Sequence, residues 1–188
     1  MLGQYQQLTH HVAMRDGLPA AIRPTMLEEA RQDWQAHPRF AGKAQFFMNT
    51  HRQLLDGADW LAKTTEELLD TPPSALVEKI KASGIEQRTT HLLHFAHGHH
   101  EIEGHGYFPQ FIQLFPNLER APALLDGDHQ VLDETLNGTE TGLTDILRKP
   151  SRDTVGALHR DAAALKKIMH RHITDEEDVI MPIFLRHG

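Results

Sequence analysis

Histidine and glutamate recur in this chain at a spacing that suits metal binding, and 15 of the 188 residues are histidine. His99 and His172 are each followed by a glutamate four residues later, Glu103 and Glu176, and then by a proline and a phenylalanine at matching positions. In a helix, residues four apart lie on the same face, one turn from each other. A histidine and a glutamate placed in this way can bind one metal ion, or the glutamate can bridge two ions.

A further histidine precedes each of these two segments on an apolar helical stripe. His51 lies 48 residues before His99, and His129 lies 43 residues before His172, so the chain contains two copies of one helical hairpin. Taken alone, His51 or His129 is better interpreted as a buried histidine with a hydrogen-bond partner, and only the repeat makes them candidate ligands. Because a buried ionised carboxylate is costly unless it is paired or bound to a metal, the four histidines and two glutamates predict cations in the protein core.

The other histidines close to His99 lie on different faces of the same predicted helix. Five of them are rotated from His99 by about 80° or more, which favours surface positions: His91, His94, His97, His100 and His105. His100 remains a candidate for an additional ligand because it adjoins His99, and Asp133 is another because it follows His129 by one turn. His105 falls one residue too late for the His-Glu-x-x-His motif of zinc proteases, and the sequence contains no Glu-x-x-His pair of the ferritin-like type.

Hydrophobic periodicity predicts that helices position these residues, since no β-branched run alternates with period two. Four long helices are predicted, over 42–69, 85–114, 122–136 and 152–177. The second is bent or interrupted near Gly104, Gly106 and Pro109, and the fourth has a bend or stop at Pro182. Whether the third continues over 143–147, past Gly138 and Gly142, is left open. A short helix is predicted over 26–35, and Ser74 is a candidate N-cap. These elements predict an all-α fold, with an up-down-up-down antiparallel four-helix bundle at 41–188 and an N-terminal extension with a short helix at 1–40.

Composition excludes several classes of function. With a net charge of -7 and a pI near 6.1, the chain lacks the basic surface expected of a nucleic-acid binder. No apolar run is long enough to span a bilayer, so no membrane contact is expected. The absence of cysteine excludes disulfides, thiolate metal sites and cysteine nucleophiles, and it fits a cytoplasmic protein. A homodimer or a protein partner is left open.

The order His, His-x-x-x-Glu, His, His-x-x-x-Glu resembles the hemerythrin family in its bacterial HHE cation-binding form, over about residues 42–188. The run from His99-His100 to Glu103, followed by Phe108-Pro109, is close to the signature of that family. The resemblance implies a four-helix bundle around a non-haem di-iron site, with two iron ions joined by an oxo or hydroxo bridge; zinc or manganese could be misloaded. It also implies the ligands by position: His51, His99, His129 and His172 as histidine ligands, and Glu103 and Glu176 as bridging carboxylates. His100 and Asp133, which lie near these residues, stay candidates for an additional ligand.

The sequence departs from the oxygen-carrying hemerythrins at two places. Their third helix supplies two histidines one turn apart, whereas the positions one turn from His129 are Leu125 and Asp133. Their last carboxylate lies five residues after a histidine, whereas here both Glu176 and Glu177 follow His172, and the repeat favours Glu176. With four histidine ligands, two coordination positions stay open on a pair of six-coordinate irons. This count predicts that the di-ferrous protein autoxidises rather than carrying oxygen reversibly.

The function expected from this site is the binding of oxygen or a related small oxidant, for sensing, storage or scavenging of O2, peroxide or NO. A second hypothesis is an oxidoreductase that uses the same site on peroxide or NO. A third is an iron-responsive interaction or regulatory module, in which metal loading stabilises the fold. A helical bundle without metal is the least favoured of the four.

Overall fold

In the computed structural model, which describes residues 10–27 and 29–187, helices are the only regular secondary structure of the described residues. The described residues form six α-helices in succession: α1 (Lys43–Leu69), α2 (Pro73–Ser83), α3 (Ile85–Ile102), α4 (Phe108–Leu114), α5 (Arg120–Arg148) and α6 (Arg152–His187). A π-helical turn, Glu103–Tyr107, joins α3 to α4. The all-α four-helix-bundle fold predicted from the sequence is confirmed, and α1, α3, α5 and α6 are its long helices.

The chain forms two compact units, each built from parts of the same long helices. Among the described residues, the first unit comprises the chain up to Gln53, His100–Gln130 and the chain from His170 onward. The second comprises Leu54–His99 and Val131–Met169. Aliphatic side chains fill the core of the second unit, among them Leu61, Leu136, Leu158 and Leu165.

The third long helix, α5, is continuous through Gly138 and Gly142, so the extension over 143–147 that the sequence left open is helical. At Gly142, a Cβ atom would lie 3.3 Å from the Cα atom of Leu158 in α6. At Gly138, one turn earlier, the nearest atom would be 3.9 Å away, on Asp161. Gly142 therefore serves close helix packing rather than a break, because it lets the backbones of α5 and α6 approach each other.

The last helix is longer than predicted, since it continues past Glu177 and through Pro182 to His187. Proline removes one backbone donor and usually kinks or ends a helix. Here the residues on both sides of it are buried in the first unit, including Ile180, Met181 and Ile183. This apolar burial outweighs the lost hydrogen bond. At its start, Ser151 and Thr154 exchange side-chain to backbone hydrogen bonds in a reciprocal N-terminal cap.

The segment before α1 differs from its prediction. Two short 3-10 turns, Arg23–Thr25 and Arg31–Ala36, replace the single helix expected over 26–35. Ala30 between them is extended, with ψ at 133°. Leu18, Ile22 and Trp34 from this segment are buried in the same apolar core as residues of α1, α4, α5 and α6. Packing, rather than helix propensity, therefore determines the local structure, and the division into an extension at 1–40 and a bundle at 41–188 stays a prediction.

The second helix begins one residue earlier than the sequence suggests. Because α2 begins at Pro73, Ser74 lies within the helix and is not its N-cap. The fixed φ of proline suits the first helical position.

None of the described helices combines the length and the apolar character that crossing a bilayer requires.

Candidate metal centre

The structure brings the predicted residues together in two groups of potential ligands. The two-histidine group contains His51, His99, Glu103 and Glu176, and the three-histidine group contains His100, His129 and His172. Within each group, one ligand atom per residue lies within 4.8 Å of all the others. None of the seven residues exposes more than 8% of its surface. Every residue that the sequence predicted as a main ligand is therefore in one of the groups.

Each long helix supplies part of these groups. His51 lies on α1, the His99-His100 pair on α3, His129 on α5, and His172 with Glu176 on α6. Glu103 is the first residue of the π-helical turn, which accounts for the interruption predicted near Gly104 and Gly106. Turns of this kind are rare and often occur at functional sites.

The two glutamates contact histidines of both groups. Glu103 Oε1 lies 3.9 Å from His51 Nε2, and Glu103 Oε2 lies 3.4 Å from His129 Nε2. Glu176 Oε2 lies 3.2 Å from His51 Nε2 and 3.8 Å from His172 Nε2. Each carboxylate therefore lies between a histidine of the two-histidine group and a histidine of the three-histidine group.

The donor atoms suit a bound cation. Among the described residues, both Glu176 oxygens and the Nε2 atoms of His129 and His172 are buried and have no hydrogen-bond partner. Burying such atoms without partners costs free energy, which a cation bound between them would recover. Imidazole nitrogens combined with carboxylate oxygens suit iron, zinc and manganese.

Electrostatics at the same place favour positive charge. Burial lowers the pKa of His51, but the neighbouring carboxylates of Glu103, Glu176 and Glu177 outweigh this effect and hold that pKa well above its usual value. Burial also lowers the pKa of His172, yet its hydrogen bond with Asp128 and the nearby glutamates raise the pKa above normal. The carboxylates thus overcome the desolvation penalty of a buried cation.

The outer ring nitrogens of His51 and His172 face two further carboxylates. His51 Nδ1 lies 3.2 Å from Glu177 Oε1, and His172 Nδ1 lies 3.2 Å from Asp128 Oδ2. Burial raises the pKa of both acids, but hydrogen bonds with Arg15 and His172 lower the pKa of Asp128, and those with His51 and Arg31 lower the pKa of Glu177. Ionised carboxylates of this kind accept the Nδ1 proton of a histidine and so direct Nε2 toward the metal.

These contacts separate Glu176 from Glu177, which the sequence left as alternatives. Glu176 lies in the two-histidine group, whereas Glu177 contacts the opposite side of the His51 ring. Asp128 had no sequence signal, since it becomes a neighbour of His172 only through the packing of α5 against α6 in the first unit.

The two candidate additional ligands lie in different surroundings. His100 belongs to the three-histidine group, and its ring stacks on that of His129 with centroids 4.3 Å apart. Asp133 belongs to neither group; its Oδ1 lies 3.3 Å from Nδ1 of His97, and about half of its side chain is exposed. Geometry therefore favours His100 as the extra ligand.

Aromatic rings cover parts of both groups. The Phe47 ring centroid lies 4.1 Å from that of His51, and the Phe108 centroid lies 5.6 Å from that of His129. Phe184 packs edge-on against Phe47 at 5.2 Å and against Phe111 at 5.5 Å. These buried phenylalanines therefore form apolar walls beside the candidate ligands.

Comparison with known proteins gives one match. A family model described as the hemerythrin HHE cation-binding domain matches residues 43–184, well over half of the chain. No curated protein and no solved structure is similar enough to this chain to be matched.

Proposed function

Because this chain belongs to the hemerythrin HHE cation-binding family, we propose that its two groups bind a pair of iron ions that takes up oxygen or a related small oxidant. The two glutamates carry this proposal. Glu103 faces His51 with one oxygen and His129 with the other, and Glu176 lies between His51 and His172. Carboxylates between two groups of histidines are suited to bridge two cations.

The proposed ligand sets are unequal. His100, His129 and His172 would hold one ion, and His51 with His99 would hold the other. His100 is then a fifth histidine ligand beyond the four expected from the repeat. With this ligand, one coordination position would stay open instead of two, at the ion that His51 and His99 would hold, and this weakens the reason for expecting autoxidation.

Bound iron would supply an open coordination position for a small oxidant and the electrons to reduce it. The chain shapes the surroundings of that position through its aromatic side chains. Phe47 packs on His51, and Phe184 packs on Phe47. An apolar wall of this kind favours small uncharged ligands such as O2, peroxide or NO over hydrated ions, because ions lose their hydration there.

Metal analysis after anaerobic reconstitution with ferrous iron tests the proposal. We expect two iron ions per chain and a change in the absorption spectrum when oxygen, peroxide or NO is added. Asp133→Asn is a matched control, because Asp133 lies near His129 in sequence but outside both groups, and it should keep both ions. At most one ion per chain in the wild type would contradict the di-iron site. Repeated turnover of peroxide or NO would identify an oxidoreductase, and stoichiometric uptake a sensor, store or scavenger.

A second candidate function is an iron-responsive interaction or regulatory module. It is favoured by the contacts of Arg15 and Arg31, from the segment before α1, with the carboxylates that face His172 and His51. Through these contacts, metal loading would stabilise the fold and that segment together. Metal-dependent stability without any reaction with oxidants would favour this function over the first.

A further inference from the structure

Two arginines before α1 contact the carboxylates that orient candidate ligands. Arg15 donates from Nη1 to Asp128 Oδ1 at 2.7 Å and from Nη2 to Asp128 Oδ2, so that both carboxylate oxygens are held. Arg31 donates from Nη1 to Glu177 Oε2 at 2.5 Å. Each carboxylate thus touches a histidine on one side and an arginine on the other.

The contacts form two relays of the same kind. In the first, His172 Nδ1 faces Asp128, and Asp128 is held by Arg15. In the second, His51 Nδ1 faces Glu177 Oε1, and Glu177 Oε2 is held by Arg31. The first relay ends in the three-histidine group and the second in the two-histidine group.

The surroundings of Arg15 indicate that its charge serves Asp128. Only 2% of its side chain is exposed, and its Nε also donates to Asp175 Oδ2 at 2.8 Å. Asp175 has a second cation, because Arg171 donates to both of its oxygens, at 3.0 and 2.5 Å. Arg15 itself donates to both oxygens of Asp128, and this two-point contact fixes the plane of that carboxylate.

We propose that Arg15 and Arg31 are positioning residues of the metal centre, each holding the carboxylate that fixes the ring of one candidate ligand. Arg31 acts through Glu177 on His51, and Arg15 acts through Asp128 on His172. Arginine suits this role because its guanidinium is always charged and its donors form a rigid fork. Partners of this kind keep the histidine ring oriented and raise its basicity as a ligand. The inference rests on the proposed metal site and adds the segment before α1 to its structure.

Arg31→Gln gives the sharper test, because 44% of the Arg31 side chain is exposed, against 2% for Arg15. The matched control is Arg186→Gln. Arg186 forms an ion pair with Glu29 of the same segment, and 41% of its side chain is exposed, but its partner does not face a histidine. Stepwise dissociation constants for ferrous iron would be measured without oxygen by competition with a colorimetric chelator. We expect Arg31→Gln to raise one constant about tenfold, and Arg186→Gln to leave both near the wild-type values.

A double-mutant comparison separates positioning from general stability. If Arg31 acts through Glu177, then Arg31→Gln should add little to the loss caused by Glu177→Gln, since the relay is already broken. Melting temperatures of the metal-free variants would be recorded in parallel, and Arg31→Gln should match Arg186→Gln. For the first relay, Arg15→Lys keeps the charge but cannot hold both oxygens of Asp128. It should therefore also raise the dissociation constant of one ion.

The outcomes are distinguishable. Wild-type protein that binds no iron would overturn both the proposed function and the positioning role. Wild-type protein that binds two ions, with Arg31→Gln unchanged or matched by an equal loss in Arg186→Gln, would overturn the positioning role alone. Full additivity of Arg31→Gln and Glu177→Gln would also overturn it.

Discussion

At the scale of single residues, Glu176 and Glu177 show how one position along a helix changes the role of a side chain. Successive residues of a helix point about 100° apart. Glu176 therefore faces the Nε2 atoms of His51 and His172, whereas Glu177 faces the Nδ1 atom of His51 and the guanidinium of Arg31. Two identical carboxylates thus differ in whether they would touch the metal or orient a ligand.

Substitution of these two glutamates should have different consequences. We expect Glu176→Gln to abolish binding of at least one ion, since a neutral amide is a poor bridge between cations. Glu177→Gln should bind both ions, but its affinity for one of them should fall by about 10- to 100-fold, as is usual when the partner of a ligand histidine is lost. Metal analysis after gel filtration would separate the two cases. Equal numbers of bound ions and equal affinities in both variants would contradict the different roles assigned to Glu176 and Glu177.

His100 should decide how the site reacts with oxygen. Loss of its imidazole would open a second coordination position, so we expect di-ferrous His100→Ala to autoxidise faster than the wild type. His97→Ala is the control, because His97 lies on the same helix but pairs with Asp133 outside both groups. The measurement follows the absorption spectrum through cycles of oxygen and inert gas. If the wild type and His100→Ala recover their starting spectra equally well, His100 is not a ligand that protects the iron.

At the scale of helices, periodicity predicted the elements but not their ends. The first long helix was predicted over 42–69 and is observed as Lys43–Leu69, because apolar spacing and the prolines after it both act locally. The sequence predicts a bend or stop at Pro182, whereas α6 continues through it because the neighbouring residues are buried. Arg15 and Asp128 are 113 residues apart, so no local pattern could predict their contact. The repeat therefore predicted residues that the fold brings together in the two groups, whereas the residues that contact their outer ring nitrogens depend on tertiary packing.

Two glycines of α5 provide a matched test of helix packing. We expect Gly142→Ala to destabilise the protein by about 1–3 kcal/mol, because the new methyl group would meet the backbone of Leu158 and force the helices apart. Gly138→Ala places its methyl group at ordinary van der Waals distance from Asp161. It should be neutral or stabilise by up to about 1 kcal/mol, since alanine favours helix. Urea unfolding monitored by circular dichroism would measure both, and an equal effect of the two substitutions would contradict this role of Gly142.

At the scale of the whole molecule, the candidate ligands come from α1, α3, the π-helical turn, α5 and α6, which are far apart in the sequence. A cation bound to them would therefore link most of the chain. Without a cation, Glu103 and Glu176 are two fully buried carboxylates near the same histidine, and like charges in a medium of low dielectric repel each other. Folding and metal binding should for this reason be coupled.

Removal of metal should lower the melting temperature. A ligand at a free concentration 100 times its dissociation constant stabilises the folded state by about 2.7 kcal/mol. For a chain of this length, each kcal/mol shifts the melting temperature by about 2–4 °C, so we expect a fall of about 5–10 °C for each ion lost under such conditions.

The double variant Glu103→Gln, Glu176→Gln is the control for this loss of stability. Its melting temperature should not respond to a chelator, because it lacks both carboxylates that would bridge the ions. Calorimetry with metal content verified in every sample would measure both effects. An unchanged melting temperature of the wild type after complete metal removal would show that the fold does not depend on the cations.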